Sequence, residues 1–189
     1  MNMTRPIYPG VTGRVVDAPA DVVVMAHQGN GVGMRRTLAG EIAARCGLPL
    51  HEVAIFSWAG RRPSVEIRGR PNTRWQVSLS YTRNCTVGAL CAGRAIGVDV
   101  ESIDPEFRWQ PIAAEFFPSE VIATWDHLSP QEARRGFFRQ WVRWEAALKC
   151  RGVGFGAEDL TYEVALDGLE LFDLDLGEGY AGCLTLKPI

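Results

Sequence analysis

The sequences GVDVE at positions 97–101 and WVRWEAALK at positions 141–149 decide the fold of this protein. The first pattern alternates as a strand does, so Asp99 and Glu101 project from one face while the two valines enter the core. Two carboxylates side by side repel each other, and they are tolerated best where a cation lies between them. The first pattern therefore predicts a strand with an acidic face.

The second pattern has the period of a helix. Glu145 and Lys149 are four residues apart and share one face, and Trp141 lies one turn before Glu145. If this helix meets the acidic strand, three carboxylates and one ammonium group converge.

Three carboxylates without a nearby His or Cys ligand suit a hard cation such as Mg2+, whose octahedron is usually completed by substrate phosphates and waters. A lysine at the edge of such a site would face a phosphate. The alternative is that the strand carboxylates are a solvated strand end and that Glu145 and Lys149 form an ordinary surface pair. For either pattern alone, this alternative is preferred.

The two patterns together resemble one family. GVDVE, then IAAEFFPSE at positions 112–120, then W-x-x-x-E-A-x-x-K with a glycine-containing turn after it, resemble the 4′-phosphopantetheinyl transferases. They are similar in particular to the two-lobed, surfactin-type subfamily, whose hallmarks are G-[IV]-D-[IV]-E and W-x-x-K-E-A-x-x-K. The resemblance extends from about Arg35 to the C-terminus, and order and spacing agree as well as residue type.

The resemblance implies an α+β fold of two similar α/β lobes in one chain, a pseudo-dimer in which each lobe is a small antiparallel sheet packed by a long helix. Residues 1–96 would form the N-terminal lobe, which holds the nucleotide end of coenzyme A. Residues 97–189 would form the C-terminal lobe, which holds the metal and the catalytic residues. By the same analogy, we expect a monomer.

Composition limits the classes of function. The chain has 189 residues, a net charge of −2 and five scattered cysteines without a C-x-x-C pair. These features predict a soluble cytoplasmic protein without disulfides or a zinc site, and without strong attraction to nucleic acid. We expect no membrane span or signal peptide, since no apolar run approaches about 20 residues.

Local patterns predict the remaining elements. The predicted strands cover Asp21–Ala26, Val53–Trp58 and Gln76–Tyr81, and the predicted helices cover Met34–Cys46, Pro111–Phe117, Glu120–His127 with Ser119 as N-cap, and Pro130–Arg151. A C-terminal meander is predicted over Leu160–Leu166, Leu169–Leu174 and Tyr180–Leu186. The glycine-rich loop at positions 29–33 has the wrong spacing for a nucleotide fingerprint, so a turn is favoured.

Three further segments match those that hold the nucleotide end in the family. RTLAGE at positions 36–41 resembles R-T-L-L-G-D, which implies Arg36 and Thr37 as ligands near the 3′-phosphate of coenzyme A. AGRRP resembles the G-K-P turn and implies Arg62, whose guanidinium retains a phosphate-binding charge. VSLSYT resembles F-N-[IL]-S-H-S and implies Ser80 and Tyr81.

Three departures from the family pattern each remove a positive charge. Tyr81 replaces a histidine, and its hydroxyl donates one hydrogen bond but no charge at neutral pH. Trp144 replaces the lysine that usually precedes the metal-binding glutamate. The basic pair that usually precedes R-T-L has no counterpart at positions 29–33. Binding of the 3′-phosphate should therefore be weaker or arranged differently.

The implied reaction transfers 4′-phosphopantetheine from coenzyme A to a serine of an acyl or peptidyl carrier protein and releases 3′,5′-adenosine bisphosphate. The carrier would serve fatty-acid, polyketide or nonribosomal peptide biosynthesis. Mg2+, or Mn2+ in its place, would be held by Asp99, Glu101 and Glu145. Lys149 would stabilise the phosphate, and Glu145, directly or through a water, is the candidate base.

The alternative function is a divergent member of the same fold that has lost transfer. Such a protein would bind a carrier protein or carry out altered chemistry on a pantetheine-linked substrate. The three lost charges favour this alternative, whereas the intact carboxylates and lysine favour the transferase. Phe116, Phe117 and Trp125 are candidates for a carrier-binding surface, although phenylalanines beside a helix end are more often core.

Overall fold

A computed structural model gives the fold of the protein and describes residues 14, 15, 19, 21–28, 33–58, 61–153 and 160–188. The strands are β1 (Arg14–Val15), β2 (Val23–Gln28), β3 (Val53–Phe56), β4 (Ser64–Ile67), β5 (Arg70–Asn72), β6 (Trp75–Thr82), β7 (Cys85–Ala92), β8 (Ile96–Ser102), β9 (Glu170–Asp175) and β10 (Tyr180–Leu186). The helices are α1 (Met34–Cys46), α2 (Gln110–Phe116), α3 (Ser119–Ala123), α4 (Pro130–Arg151) and α5 (Tyr162–Leu166). Among these described helices, none combines the length and the apolar composition of a membrane span.

The described strands form small antiparallel sheets. One sheet has the order β1-β9-β10-β8, a second has β2-β7-β6 and a third has β3-β4-β5. Helix α1 packs on β3 and β7, and helix α4 packs on β8 and β10. The structure is thus a mixed α/β fold of small antiparallel sheets and helices, as the sequence predicts.

The second sheet meets the first through side chains. The hydroxyls of Ser78, Ser80 and Thr82 on β6 accept hydrogen bonds from the backbone N–H groups of the β8 residues Val98, Val100 and Ser102, at 2.9, 3.3 and 3.2 Å. The residue numbers of the bonded pairs increase in the same direction along both strands, so β6 and β8 run parallel. We call these three side chains the hydroxyl row. Because strand side chains alternate, the row occupies one face of β6 and leaves the other face for the core under α1.

That core is apolar and local to the N-terminal half. Leu38 and Ile42 of α1 are fully buried against Val77 of β6 and Leu90 of β7. Helix α1 ends where Gly47 adopts a left-handed conformation, with φ at 65°, and Pro49 follows two residues later. This is the ordinary way in which a helix is stopped.

Helix α4 is fixed at both ends by its sequence. Ser129 and Glu132 form a capping box, in which each side chain accepts a hydrogen bond from the other residue's backbone N–H, and Pro130 occupies the first turn. Gly152 ends the helix with φ at 74°. These signals satisfy the free backbone groups of the helix ends, so a helix of 22 residues has defined limits.

The approach of α4 to β8 requires a glycine. A Cβ atom added at Gly97 would lie 1.9 Å from the carbonyl oxygen of Ala146 and 2.5 Å from the backbone nitrogen of Cys150. Both atoms belong to the helix backbone, which cannot move aside as a side chain would. Gly97 therefore sets how closely the helix lies on the strand.

The C-terminal half has an aromatic core. Phe137 of α4 contacts Trp109, Phe117 and Trp125, with ring centroids 5.6 to 6.4 Å apart. Phe117 and Trp125 are buried, so they belong to this core, and Phe116 packs partly buried against it. The alternative reading of the two phenylalanines as core residues is confirmed, and Trp125, a candidate for the carrier-binding surface, lies in the same core.

Most predicted elements are confirmed, and two are wrong. Leu160–Leu166 was predicted as a strand, but Tyr162–Leu166 forms helix α5, which is capped by the Thr161 hydroxyl and buries Tyr162 and Ala165. Helix α3 ends at Ala123, well before His127, and its N-cap is Pro118, so Ser119 is a helical residue.

Some predictions concern positions that the structure does not describe or test. Residues 29–32 of the glycine-rich loop and residues 59–60 before Arg61 lie outside the described ranges. The division into lobes at residues 96 and 97 stays a prediction. Strand β8 begins at Ile96, and β1 pairs with β9 although it precedes that strand by more than half the chain.

The substitution Gly97→Ala should destabilise the protein by about 3 kcal/mol or more, because its Cβ meets helix backbone. Gly40→Ala is the matched control, since α1 leaves open space at that position. Alanine there should stabilise by roughly 0.5–1 kcal/mol through its helix propensity. Urea denaturation of both variants measures the difference, and a Gly97→Ala protein as stable as wild type would contradict the packing described.

Candidate active site

The centre of the site is a buried ion pair. The carboxylate of Asp99 on β8 is 2% exposed, and its Oδ1 atom lies 2.6 Å from Nζ of Lys149 on α4. The Ser80 hydroxyl of β6 donates to the same Oδ1 at 2.7 Å and accepts from Lys149 at 3.1 Å. Strands β6 and β8 and helix α4 therefore meet at one carboxylate oxygen.

Two more carboxylates adjoin this pair. Glu101 follows Asp99 by two residues on the same face of β8, and Thr82 donates to its Oε2 atom at 3.2 Å. Glu145 lies one turn before Lys149 on α4. One oxygen from each of Asp99, Glu101 and Glu145 lies within 4.8 Å of the other two, and we call these residues the acidic cluster.

The cluster holds Glu145 in an unusual electrostatic state. Burial and the neighbouring Asp99 carboxylate raise the pKa of Glu145 to about 7, against the opposing effects of Lys149 and of a hydrogen bond with Trp141. Burial and Asp99 also raise the pKa of Glu101, while the hydrogen bond from Thr82 opposes that rise. Burial and the shared negative charge thus disfavour ionisation of both glutamates, as expected where like charges share a buried site.

The acidic cluster fits a divalent cation. The Oδ2 atom of Asp99 is buried and has no hydrogen-bond partner among the described residues. An unsatisfied carboxylate oxygen is costly to bury, and a cation would satisfy it. The donors are all carboxylate oxygens. Mg2+ and Mn2+ prefer such oxygen ligands, whereas the metals that bind Cys prefer sulfur.

The residues predicted near the 3′-phosphate of coenzyme A lie on α1. Arg36 is exposed and lines a cavity of about 300 Å3 together with Arg35 and His51, and no residue of the acidic cluster lines this cavity. Thr37 is exposed, and its hydroxyl donates to the carbonyl of Gly33 at 3.1 Å. A phosphate oxygen only accepts, so Thr37 would have to release Gly33 to bind one.

Ser80 and Tyr81 face opposite sides of β6. The Ser80 hydroxyl is fully used, since it donates to Asp99 and accepts from Lys149 and from the N–H of Val100. Tyr81 is 78% exposed, on the face away from the acidic cluster. Its hydroxyl is therefore open to a ligand, whereas that of Ser80 is bound within the site.

Arg62 lies at the end of α4. Its Nη2 atom donates to the carbonyl oxygens of Lys149 and Cys150 at 3.2 and 2.6 Å, and Nη1 donates to Gln76 at 3.2 Å. The two bonds to the helix carbonyls join residues that are 87 and 88 positions apart in the chain. The guanidinium of Arg62, which was predicted to bind phosphate, is thus hydrogen-bonded to other residues of the protein.

Trp144 points away from the acidic cluster although it precedes Glu145. Its ring is 6% exposed and lies 5.2 Å from that of Phe116 and 5.5 Å from that of Trp141, measured between ring centroids. The position where the family has a lysine thus contributes to the aromatic core. No cation enters the site from it.

The structure brings together Asp99, Glu101, Glu145, Lys149 and Ser80 from the predicted set. The sequence reasoning missed Thr82 and Trp141, which bond the two glutamates, and Gln76, which bonds Arg62. Thr82 could have been found from strand alternation, because it shares the face of Ser80. Trp141 shares a helix face with Glu145 by its spacing of four residues, from which this bond could have been found.

Two comparisons with known proteins agree with this geometry. The family model described as the 4′-phosphopantetheinyl transferase superfamily matches residues 95–187, which include the acidic cluster and Lys149. A curated relative, the 4′-phosphopantetheinyl transferase HetI of Nostoc sp. (strain PCC 7120), is 29% identical over 130 residues, which cover 65% of this chain and 54% of the relative. The matched part thus spans about half the length of that relative.

The raised pKa of Glu145 predicts how stability depends on pH without divalent cations. In the unfolded chain this carboxyl ionises near its ordinary value of 4.5, and in the fold it ionises near 7. The stability that the protonated form contributes is therefore complete below pH 4.5 and is lost as pH rises through 7. Between pH 5 and 8 in EDTA, we expect wild type to lose on the order of 1–3 kcal/mol more than Glu145→Gln. Thermal unfolding at both pH values measures this difference, and identical pH profiles would contradict it.

The packing of Trp144 predicts that restoring a lysine there does not restore the site. Trp144→Lys should lower the free energy of unfolding by about 3 kcal/mol or more, since it removes a core indole and buries a charge. Trp58→Lys is the control, because Trp58 is 58% exposed, and it should change stability by less than about 1 kcal/mol. A Trp144→Lys variant as stable as this control in urea would refute the assignment.

Proposed function

We propose that this chain, whose residues 95–187 match the 4′-phosphopantetheinyl transferase superfamily, belongs to that superfamily and transfers 4′-phosphopantetheine from coenzyme A to a serine of an acyl or peptidyl carrier protein. The reaction forms a bond between the serine oxygen and the phosphorus next to pantetheine. The bond from that phosphorus to the nucleotide phosphate breaks, and 3′,5′-adenosine bisphosphate leaves.

The observation that carries the proposal is the acidic cluster beside Lys149. Three carboxylates with oxygens within 4.8 Å of one another are unfavourable unless a cation joins them. One of their oxygens is buried without a hydrogen-bond partner among the described residues. We propose that Asp99, Glu101 and Glu145 hold Mg2+, or Mn2+, which when bound would offset charge on the pyrophosphate.

Glu145 and Lys149 carry out the chemistry in this proposal. Glu145, directly or through a water, would accept the proton of the attacking serine hydroxyl. Lys149 is positively charged at the edge of the cluster, where it would stabilise negative charge on the phosphate being transferred. The bond from Ser80 holds the ammonium group in place for this role.

The nucleotide end of coenzyme A would lie on the N-terminal half, residues 1–96, in the proposed two-lobed arrangement. Arg36 and Tyr81 are exposed and offer a charge and a hydroxyl to the 3′-phosphate. Thr37 would contribute after releasing Gly33, whereas Ser80 would act through Asp99 and Lys149. We propose a monomer that works with a carrier protein of fatty-acid, polyketide or nonribosomal peptide biosynthesis in the cytoplasm.

A second candidate is a protein of this family that binds a carrier or a pantetheine-linked substrate without transfer. The observation that favours it is that two positions at which the family pattern has a lysine offer no free positive charge. Trp144 lies in the aromatic core, and the guanidinium of Arg62 is bound to the end of α4. Weak binding of coenzyme A together with tight binding of a carrier protein would identify this function.

The deciding experiment is intact-mass analysis of several apo carrier proteins incubated with the protein, coenzyme A and Mg2+. We expect a mass gain of one phosphopantetheine group and its loss in EDTA. Asp99→Asn and Glu145→Gln should each lower the rate roughly 100-fold or more. Glu120→Gln, which changes an exposed carboxylate of α3, is the matched control and should react as wild type does.

Two results would overturn the proposal. A mass gain that is equally fast in Asp99→Asn would exclude the acidic cluster as the reacting site. No mass gain with any carrier, from a protein that is folded and binds the carrier, would favour the second candidate. Calorimetric titration of Mg2+ into wild type and Asp99→Asn tests the metal assignment independently of transfer.

A further inference from the structure

We propose that Arg62 is a positioning residue that clamps the end of helix α4 and thereby holds Lys149 in the site, rather than a ligand of coenzyme A. The part of this inference that concerns catalysis rests on the proposed function. The clamp itself is argued from contacts within the chain.

The end of α4 has unsatisfied backbone groups. The last four carbonyls of any helix have no partner within the helix. The Leu148 carbonyl accepts from the N–H of Val153 at 3.1 Å, and the Lys149 carbonyl accepts from the N–H of Gly152 at 3.1 Å. Arg62 supplies a second bond to the Lys149 carbonyl and the bond to the Cys150 carbonyl, so three of the last four carbonyls have described partners.

The charge of Arg62 also suits this position. The C-terminal end of a helix carries a partial negative charge, which a cation stabilises. The chain folds tightly around the guanidinium, since a Cβ added at Gly152 would lie 3.0 Å from its Nη2 atom. Its Nε atom is buried without a hydrogen-bond partner among the described residues. This enclosure is typical of a structural arginine.

Lys149 is consequently held twice. Arg62 binds its backbone carbonyl, and Ser80 binds its side-chain ammonium at 3.1 Å. Both contacts come from the N-terminal half, and Gln76, which bonds Arg62, is on the same face of β6 as Ser80. Releasing the carbonyl would let the last turn of α4 fray, and the ammonium group would then move relative to Asp99.

The contacts of Arg62 argue against a role as a residue that binds the phosphate of coenzyme A. Both N–H groups of Nη2 are bound to the carbonyls of Lys149 and Cys150, so a phosphate held by Nη1 and Nη2 together would require the release of at least one of these carbonyls. That release would cost the hydrogen bond that helps to close the helix end. The neighbouring Arg61 is exposed, whereas Arg62 is partly buried against the end of α4. The two arginines therefore differ in their contacts, and Arg61 serves as a control of equal charge.

The test compares Arg62→Gln, Arg62→Lys and the control Arg61→Gln. Hydrogen exchange followed by mass spectrometry should show amides at positions 146–153 exchanging at least about tenfold faster in Arg62→Gln than in wild type. The kcat for carrier modification should fall roughly 10- to 100-fold because Lys149 is displaced, while the KM for coenzyme A changes less than about twofold. Arg62→Lys keeps the charge and should recover part of both effects, and Arg61→Gln should alter neither exchange nor kcat.

Three outcomes would overturn the clamp. Unchanged exchange at positions 146–153 in Arg62→Gln would show that the arginine does not hold the helix end. Faster exchange with unchanged kcat would remove its positioning role. A tenfold or greater loss of coenzyme A affinity, measured by calorimetry, with exchange unchanged would make Arg62 a ligand. If wild type transfers nothing, the proposed function fails, but the exchange comparison still decides whether the clamp exists.

Discussion

The ion pair between Lys149 and Asp99 is the interaction on which the rest of the site depends. Its two atoms lie 2.6 Å apart, and the carboxylate is almost excluded from water. Removing one member of such a pair strands a buried charge and typically destabilises a protein by several kcal/mol. Helix α4 must therefore stay on β8, at the close distance that Gly97 permits. The ion pair also fixes the positions of the other two carboxylates, because Glu101 shares a face of β8 with Asp99 and Glu145 shares a face of α4 with Lys149.

Local signals were sufficient for the parts of the fold that carry the site. Helix α4 was predictable to the residue because Ser129 and Gly152 mark its ends and no competing pattern interrupts it. The segment Leu160–Leu166 was not, since short alternating apolar residues suit a strand or a helix equally well. There the Thr161 cap and the burial of Tyr162 and Ala165 on one helix face decided the conformation.

The candidate site likewise contains residues whose positions local sequence patterns predict and residues whose positions they do not. Two periodicities that the sequence expresses locally place the carboxylates and Lys149 on one face of a strand and one face of a helix. The contact between that strand and that helix was expected only from the family resemblance. The role of Arg62 cannot be predicted in this way, because a guanidinium bonds to whichever acceptors the fold brings near, and the two carbonyls at the end of α4 are more than 80 positions away. The location of Trp144 was also not predictable from its neighbours in the sequence. Its adjacency to Glu145 suggested a place beside the ligand, whereas helical geometry turns the indole by about 100° from that glutamate into the aromatic core.

The hydroxyl row gives the junction between the two sheets a particular evolutionary character. Backbone ladders persist through almost any change of side chain, so most sheets tolerate mutation along their strands. Here the three bonds from β8 are accepted by side chains, at alternate positions of one strand. Only codons for serine, threonine or a similarly short acceptor preserve each bond. Single substitutions in the hydroxyl row can therefore remove or restore the hydrogen bonds between β6 and β8 one at a time. The backbone hydrogen bonds within each sheet would remain intact during such changes.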